Sequence, residues 1–127
     1  MASAQDAELI LHLYELRREP VLRQARDWFA REFNPKSAEE MRTLVPPGSE
    51  ANRYFRMVTT YWEMATSLLA HGAVDEALFL DNCGEALMVW RKLAGVIEAI
   101  RAERNQPRYL MHVEAAFRRW EAARAKR

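Results

Sequence analysis

A single cysteine, Cys83, rules out an internal disulfide, and one thiol is not a zinc site. Such usage suits a reducing compartment, and a cytoplasmic location is expected. Glycine and proline are also scarce, at 4 and 5 in 127 residues, which points to long helices joined by few connections. No apolar run reaches the length of about 18 residues that a membrane-spanning helix needs. The opening Met1-Ala2-Ser3-Ala4-Gln5-Asp6 lacks the basic-then-apolar order of a signal peptide. No membrane insertion is therefore expected.

The most telling absence is of positive charge. Between Met57 and Trp90, a stretch of 34 residues, there is no lysine or arginine, while Glu63, Asp75, Glu76, Asp81 and Glu85 are all present. Two apolar, helix-periodic segments lie inside it, joined at His71-Gly72-Ala73. This stretch reads as a buried helical hairpin. The overall charge of +1 hides an asymmetry: residues 1–100 balance to −4 and residues 101–127 to +5. The C-terminal helix is thus a basic element on an acidic body, able to meet that body, another copy or an acidic partner.

What is present is mostly apolar and helix-forming. Half the residues are apolar and 29% are charged, the composition of a globular chain. At 127 residues one domain is expected, burying about two thirds of its unfolded surface. Asp6 reads as the cap of a first helix, 7–18, with Leu9, Leu13 and Leu16 on one face. Pro20 suits the first turn of a second helix reaching about Phe33, with Leu22, Ala25, Phe29 and Phe33 inward and Trp28 beside them. Ser37-Ala38-Glu39-Glu40 has the form of a capping box before a short helix. After Pro46-Pro47-Gly48, Ser49 can cap a long helix, 50–70. Its stripes Tyr54/Val58/Tyr61/Ala65/Leu68 and Phe55/Trp62/Leu69 make a wide apolar face. A fifth helix is expected over 75–93, with Phe79, Cys83, Ala86, Trp90 and Leu93 inward and Gly84 marking a close approach of another helix. A turn from Gly95 leads through Val96, Ile97 and Ile100. The last helix is expected over 107–125, with Leu110, Val113, Phe117 and Trp120 on one face.

Few patterns here carry chemistry. A di-iron bundle needs Glu-x-x-His pairs, and the metalloprotease pattern needs His-Glu-x-x-His; neither occurs, and His12, His71 and His112 lie far apart. No glycine-rich phosphate loop is present, so no metal and no cofactor are expected. Cys83 reads as a small buried hydrophobe, since a reactive thiolate needs a cation or a helix N-terminus beside it. Arg118-Arg119-Trp120 and Asn52-Arg53-Tyr54-Phe55-Arg56 mix base-stacking and phosphate-binding types, but Phe55 and Trp120 fall on core-facing stripes. A nucleic-acid partner is not the expectation. Two readings stay open for the carboxylates of the base-free stretch. Glu63 and Glu85 face solvent while Asp81 sits near a helix start; or Glu63, Asp81 and Glu85 line a pocket walled by Tyr54, Tyr61, Trp62 and Trp90, suited to a cationic or polar small molecule.

The segments Leu13-Tyr-Glu-Leu-Arg-Arg-Glu-Pro20, Asn52-Arg-Tyr-Phe-Arg-Met57, Tyr61-Trp62, His71-Gly-Ala-Val-Asp-Glu76, and Gly84-Glu85 with Trp90 resemble a family of small bacterial proteins of unknown function. The resemblance covers most of the chain. It implies an all-helical fold in a cytoplasmic bacterial protein and carries over no activity, cofactor or catalytic residue.

The sequence therefore predicts an all-α bundle of five to seven helices around a central antiparallel pair, 50–70 and 75–93. No catalytic residue is assigned. The leading expectation is a non-enzymatic interaction or scaffold domain that forms a homo-oligomer or binds a protein partner, with Arg118, Arg119 and Arg124 of the basic helix as contact residues. The alternative is a small-molecule-binding sensory domain using the pocket of Tyr54, Tyr61, Trp62, Glu63, Asp81, Glu85 and Trp90.

Overall fold

The first five helix starts in this protein are set by side-chain oxygens that take up otherwise free backbone amides. In the computed structural model, which describes residues 1–126, the first of these is Ser3 rather than Asp6. The Ser3 hydroxyl accepts from the Asp6 amide at 3.1 Å, and Asp6 accepts from the Ser3 amide at 2.8 Å, a closed capping box that opens α1 (Ala4–Arg17). The second Asp6 oxygen accepts from the Asp75 amide at 3.0 Å. Asp75 in turn caps α5 (Glu76–Asn82), so two helix starts are tied together. The Ser3 amide is the main reason the Asp6 carboxyl titrates below its ordinary range.

Glu19 caps α2 (Pro20–Glu32), with proline in the first turn as expected. Ser37 caps α3 (Ala38–Leu44) by accepting from Glu40. Glu40 reaches back to the Lys36 amide instead of the Ser37 amide, so the box is only half formed. Ser49 caps α4 (Glu50–Ala70), which ends at Gly72 in the left-handed conformation. There the Ala73 amide reaches the Leu68 carbonyl at 2.9 Å, the expected glycine stop.

Two boundaries differ from expectation. The helix expected over 75–93 is broken at Cys83-Gly84 into α5 and α6 (Glu85–Leu93). Cys83 closes α5 with backbone angles outside the helical region, and Gly84 opens α6. A Cβ on Gly84 would meet nothing within 4 Å, so no close helix approach accounts for the glycine. It stands at the bend, where a poor helix former does least harm. After α7 (Ile97–Arg104), the last helix α8 (Met111–Ala125) begins four residues later than Pro107. Residues 107–110 form turns, and Leu110 is left-handed (φ 58°) with its side chain buried. Among the described residues there are eight α-helices and no strand, one helix more than the upper expectation. None of these helices is long and apolar enough to cross a membrane.

The long helix α4 is the centre of the fold. Its main neighbours are α2 and α8; α6 touches it briefly and lies mainly on α8, while α5 packs against α1. The expected pairing of 50–70 with 75–93 is therefore replaced by an α2–α4–α8 arrangement. Between α2 and α4 the core is aromatic: Phe29 stacks on Phe33 at 4.5 Å, Phe33 lies 5.2 Å from Phe55, and Trp28 is 6.2 Å from Tyr54. The inward faces of α2 and α4 are those the sequence periodicity predicts. That of α1 is not: Ile10, Leu13 and Arg17 are buried and Leu16 is exposed, because α1 carries apolar residues all round.

The α8 start is completed by a residue far away in sequence. Left-handed Leu110 supplies no side-chain cap, and the amides of His112 and Val113 donate instead to the Glu63 carboxylate of α4 at 3.1 and 3.0 Å. A carboxylate there also suits the positive end of the helix dipole. Glu63→Ala is expected to destabilise the fold by about 1–2 kcal/mol in urea unfolding, and Glu63→Gln, which keeps an acceptor oxygen, by less. Equal stability of wild type and Glu63→Ala would show that α8 needs no such cap.

Candidate functional site

The residues singled out in the base-free stretch fall into separate places. Tyr61, Trp62 and Glu85 do come together. Helical spacing puts Tyr61 and Trp62 of α4 side by side, their rings edge-on at 4.9 Å, and the first turn of α6 brings up Glu85. The Trp62 indole N–H donates to Glu85 at 2.8 Å, and Arg26 of α2 grips the same carboxylate with Nε and Nη2, both at 2.9 Å at their shortest. The bidentate geometry is the strong form of this pairing. It is also the first cause that holds the Arg26 guanidinium above its ordinary value. The other Arg26 nitrogen, Nη1, donates to the Arg17 carbonyl at 3.1 Å.

Arg17 completes this network and was not visible as a site residue in the sequence. It is only 8% exposed and has no carboxylate partner among the described residues. Its Nη1 donates to the Tyr61 hydroxyl at 3.3 Å, and its guanidinium lies 5.1 Å from the Trp62 ring. The Tyr61 hydroxyl donates onward to the Leu13 carbonyl at 2.5 Å. A buried cation is thus held by a phenol and an aromatic face. Burial pushes the Tyr61 phenol up, and it pushes the Cys83 thiol up in spite of nearby Arg17. Cys83 is buried and kept in its neutral form, in keeping with a small core residue.

The remaining residues lie elsewhere. Tyr54 packs towards Trp28, Glu63 caps α8, and Asp81 is exposed at the end of α5. Trp90 is buried beneath Arg101 and Arg118, each 6.0 Å from its ring. Neither solvent-facing carboxylates nor one shared pocket describes Glu63 and Glu85: both are half-buried and engaged with the protein itself. Among the described residues no group of three or more His, Cys, Asp or Glu side chains is placed to hold a metal ion.

Two exposed faces remain. The first is on α1 and the start of α2, where Leu11 (62% exposed), Tyr14 (53%), Val21 (47%) and Leu16 (41%) stand in solvent. Leu11 and Tyr14 are three apart on α1 and so share a side, with Glu8 and Glu15 one turn away from Leu11 in either direction. The second lies on α6 and α8. Arg91 and Arg124 rest against the Trp120 ring at 4.9 and 4.7 Å, and Arg91 is also 5.6 Å from Phe117. Beside them runs a groove of about 340 Å³ whose apolar lining includes Ala94, Ile97 and Phe117. Of the arginines expected to make contacts, Arg119 pairs with Glu76 at 2.8 Å and Arg118 with Glu114 and Glu121. Only Arg124 is without a carboxylate partner among the described residues.

No curated protein and no solved structure matches this chain. A family model matches residues 2–120, nearly the whole chain. The chain accordingly belongs to the family described as Domain of unknown function (DUF4760).

Proposed function

We propose that this protein acts as a non-enzymatic interaction domain that associates with itself, using α1 as a contact face. The supporting observation is that Leu11 and Tyr14, large apolar side chains on one side of α1, stand in solvent while Ile10, Leu13 and Arg17 are buried; Leu16 and, in α2, Val21 are exposed as well. Single exposed apolar residues are ordinary, but Leu11 and Tyr14 adjoin on an outer helix, the kind of surface that contacts use. A cytoplasmic, bacterial setting belongs to the same proposal: the single cysteine suits a reducing compartment, and the bacterial part rests on the family resemblance alone.

Light scattering after size exclusion tests it. The wild type is expected above monomer mass, rising with concentration, and Leu11→Ser/Tyr14→Ser is expected at monomer mass. Both side chains are exposed, but the Tyr14 ring lies 5.5 Å from the buried Arg17 guanidinium, so circular dichroism and urea unfolding must show the variant folded before its mass is read. A wild type that stays at monomer mass over the whole range would overturn the reading.

The second reading, a pocket for a cationic or polar small molecule among Tyr54, Tyr61, Trp62, Glu63, Asp81, Glu85 and Trp90, draws less support. The Glu85 carboxylate already receives Arg26 and the Trp62 indole, and the Glu63 carboxylate already receives two amides.

A further inference from the structure

We infer that the self-association is head-to-tail: α1 of one copy seats on the α6–α8 face of the next. This rests on the proposed self-association and names its second surface. Each face supplies what the other lacks. On α1, Glu8 and Glu15 are exposed and have no ion-pair or side-chain hydrogen-bond partner among the described residues, and they flank the apolar Leu11 and Tyr14. On the other face, Arg91 and Arg124 are exposed and likewise have no carboxylate among the described residues. They flank Trp120, and Arg91 also lines the groove of Ala94, Ile97 and Phe117, whose rim carries Glu98, Glu114 and Arg118.

The chemistry of the basic face favours carboxylates. A guanidinium resting on an aromatic ring is held in place, while its N–H fork remains open to a planar acid. Two such groups rest on the one indole of Trp120. The Trp120 ring, covered by these cations, is a poor platform for a nucleic-acid base, which needs a bare aromatic face. The groove is at the small end of ligand-sized clefts, suited to one or two side chains such as Tyr14 or Leu11 rather than a bulky cofactor. Its own carboxylates do not oppose the incoming acids strongly, because Glu98 and Glu114 are both paired with Arg101 at 3.2 and 2.9 Å. On the α1 side the cations beside Tyr14 are buried Arg17 and exposed Arg18, 5.5 and 5.9 Å from its ring.

A contact between two different patches has no two-fold stop. It closes into a ring or grows as an open chain, whereas α1 pairing with α1 would stop at a dimer.

Two variants separate these cases. One loses the α1 face, as Leu11→Ser/Tyr14→Ser; the other loses the α6–α8 face, as Arg91→Glu/Arg124→Glu, with Arg91→Gln/Arg124→Gln in reserve if the charge reversal perturbs folding by circular dichroism. By light scattering each variant alone is expected at monomer mass. An equimolar mixture is expected at twice that mass, because the intact α1 of one meets the intact basic face of the other and nothing remains to extend the pair. Dimerisation of the Arg91/Arg124 variant on its own would overturn the inference in favour of α1–α1 pairing. Self-association of the Leu11/Tyr14 variant on its own would overturn it by excluding α1. Two monomeric variants that fail to combine, from a wild type that associates, would overturn it as well. A monomeric wild type would instead remove the underlying self-association.

Discussion

Trp62→Ala is expected to destabilise the fold by about 4–5 kcal/mol, the upper part of the range for truncating a buried aromatic residue. Trp62 has no exposed surface and sits in the middle of α4, the helix that α2 and α8 share. The substitution opens a cavity and does two further things. Glu85 loses the indole N–H that donates to it at 2.8 Å, and Arg17 loses the ring that covers its buried charge at 5.1 Å. Domains of this size are stable by about 5–15 kcal/mol, so the variant should be close to unfolding at 37 °C. Urea denaturation would show it as a large drop in midpoint at unchanged slope. Trp62→Phe keeps most of the packing and removes the N–H, and a loss of about 1–2 kcal/mol is expected from it. An unfolding free energy for Trp62→Ala within about 1 kcal/mol of wild type would mean that α4 is not the centre of the core.

Glu85→Ala is expected to be the most damaging change among the acidic residues, at about 3 kcal/mol. Removing one partner of a buried ion pair costs about 3–5 kcal/mol, because the other charge is left without compensation. Here the side chains of Arg26 and Glu85 keep 27% and 23% of their exposure, which places the effect at the low end. Arg26 would retain only its bond to the Arg17 carbonyl, and the Trp62 indole would have no acceptor. The two losses overlap. In a double-mutant cycle, Glu85→Ala with Trp62→Phe should cost less than the two single changes added, by about 0.5–1.5 kcal/mol. Strict additivity would show that the indole and the carboxylate do not support one another. Asp81→Ala serves as the contrast: it is acidic, close in sequence and exposed, and should change stability by less than about 0.5 kcal/mol.

The contrast between Asp81 and Glu85 shows where sequence reading stops. The two carboxylates are four residues apart and look alike in a helical pattern. The break at Cys83-Gly84 separates them, leaving one at the end of α5 and turning the other into the core. Periodicity carries no sign of such a break, because glycine within a helix is tolerated at a cost of only about 1 kcal/mol. The same holds at Leu110, where a buried leucine in a left-handed turn delays α8 and leaves its amides to Glu63, 49 residues away. On α1, apolar residues on every side left the inward face open, and the structure chose Ile10, Leu13 and Arg17. A buried arginine without a carboxylate has no signature in sequence at all.

What the sequence determined by itself is local and short-range. Pro20, Ser37, Ser49 and Gly72 mark helix ends because the groups they satisfy lie within a few residues, and the stripes of α2 and α4 name their buried faces because helical spacing repeats every few positions. The scarcity of glycine and proline made the all-α class legible. What only the tertiary structure decided depends on groups brought together from far apart in the chain: Glu85 with Arg26 and Trp62, Glu63 with the start of α8, Arg17 beneath Tyr61 and Trp62, and Arg91 with Trp120. Such partners are chosen by how helices pack, and packing depends on the shape of the whole core rather than on any one segment.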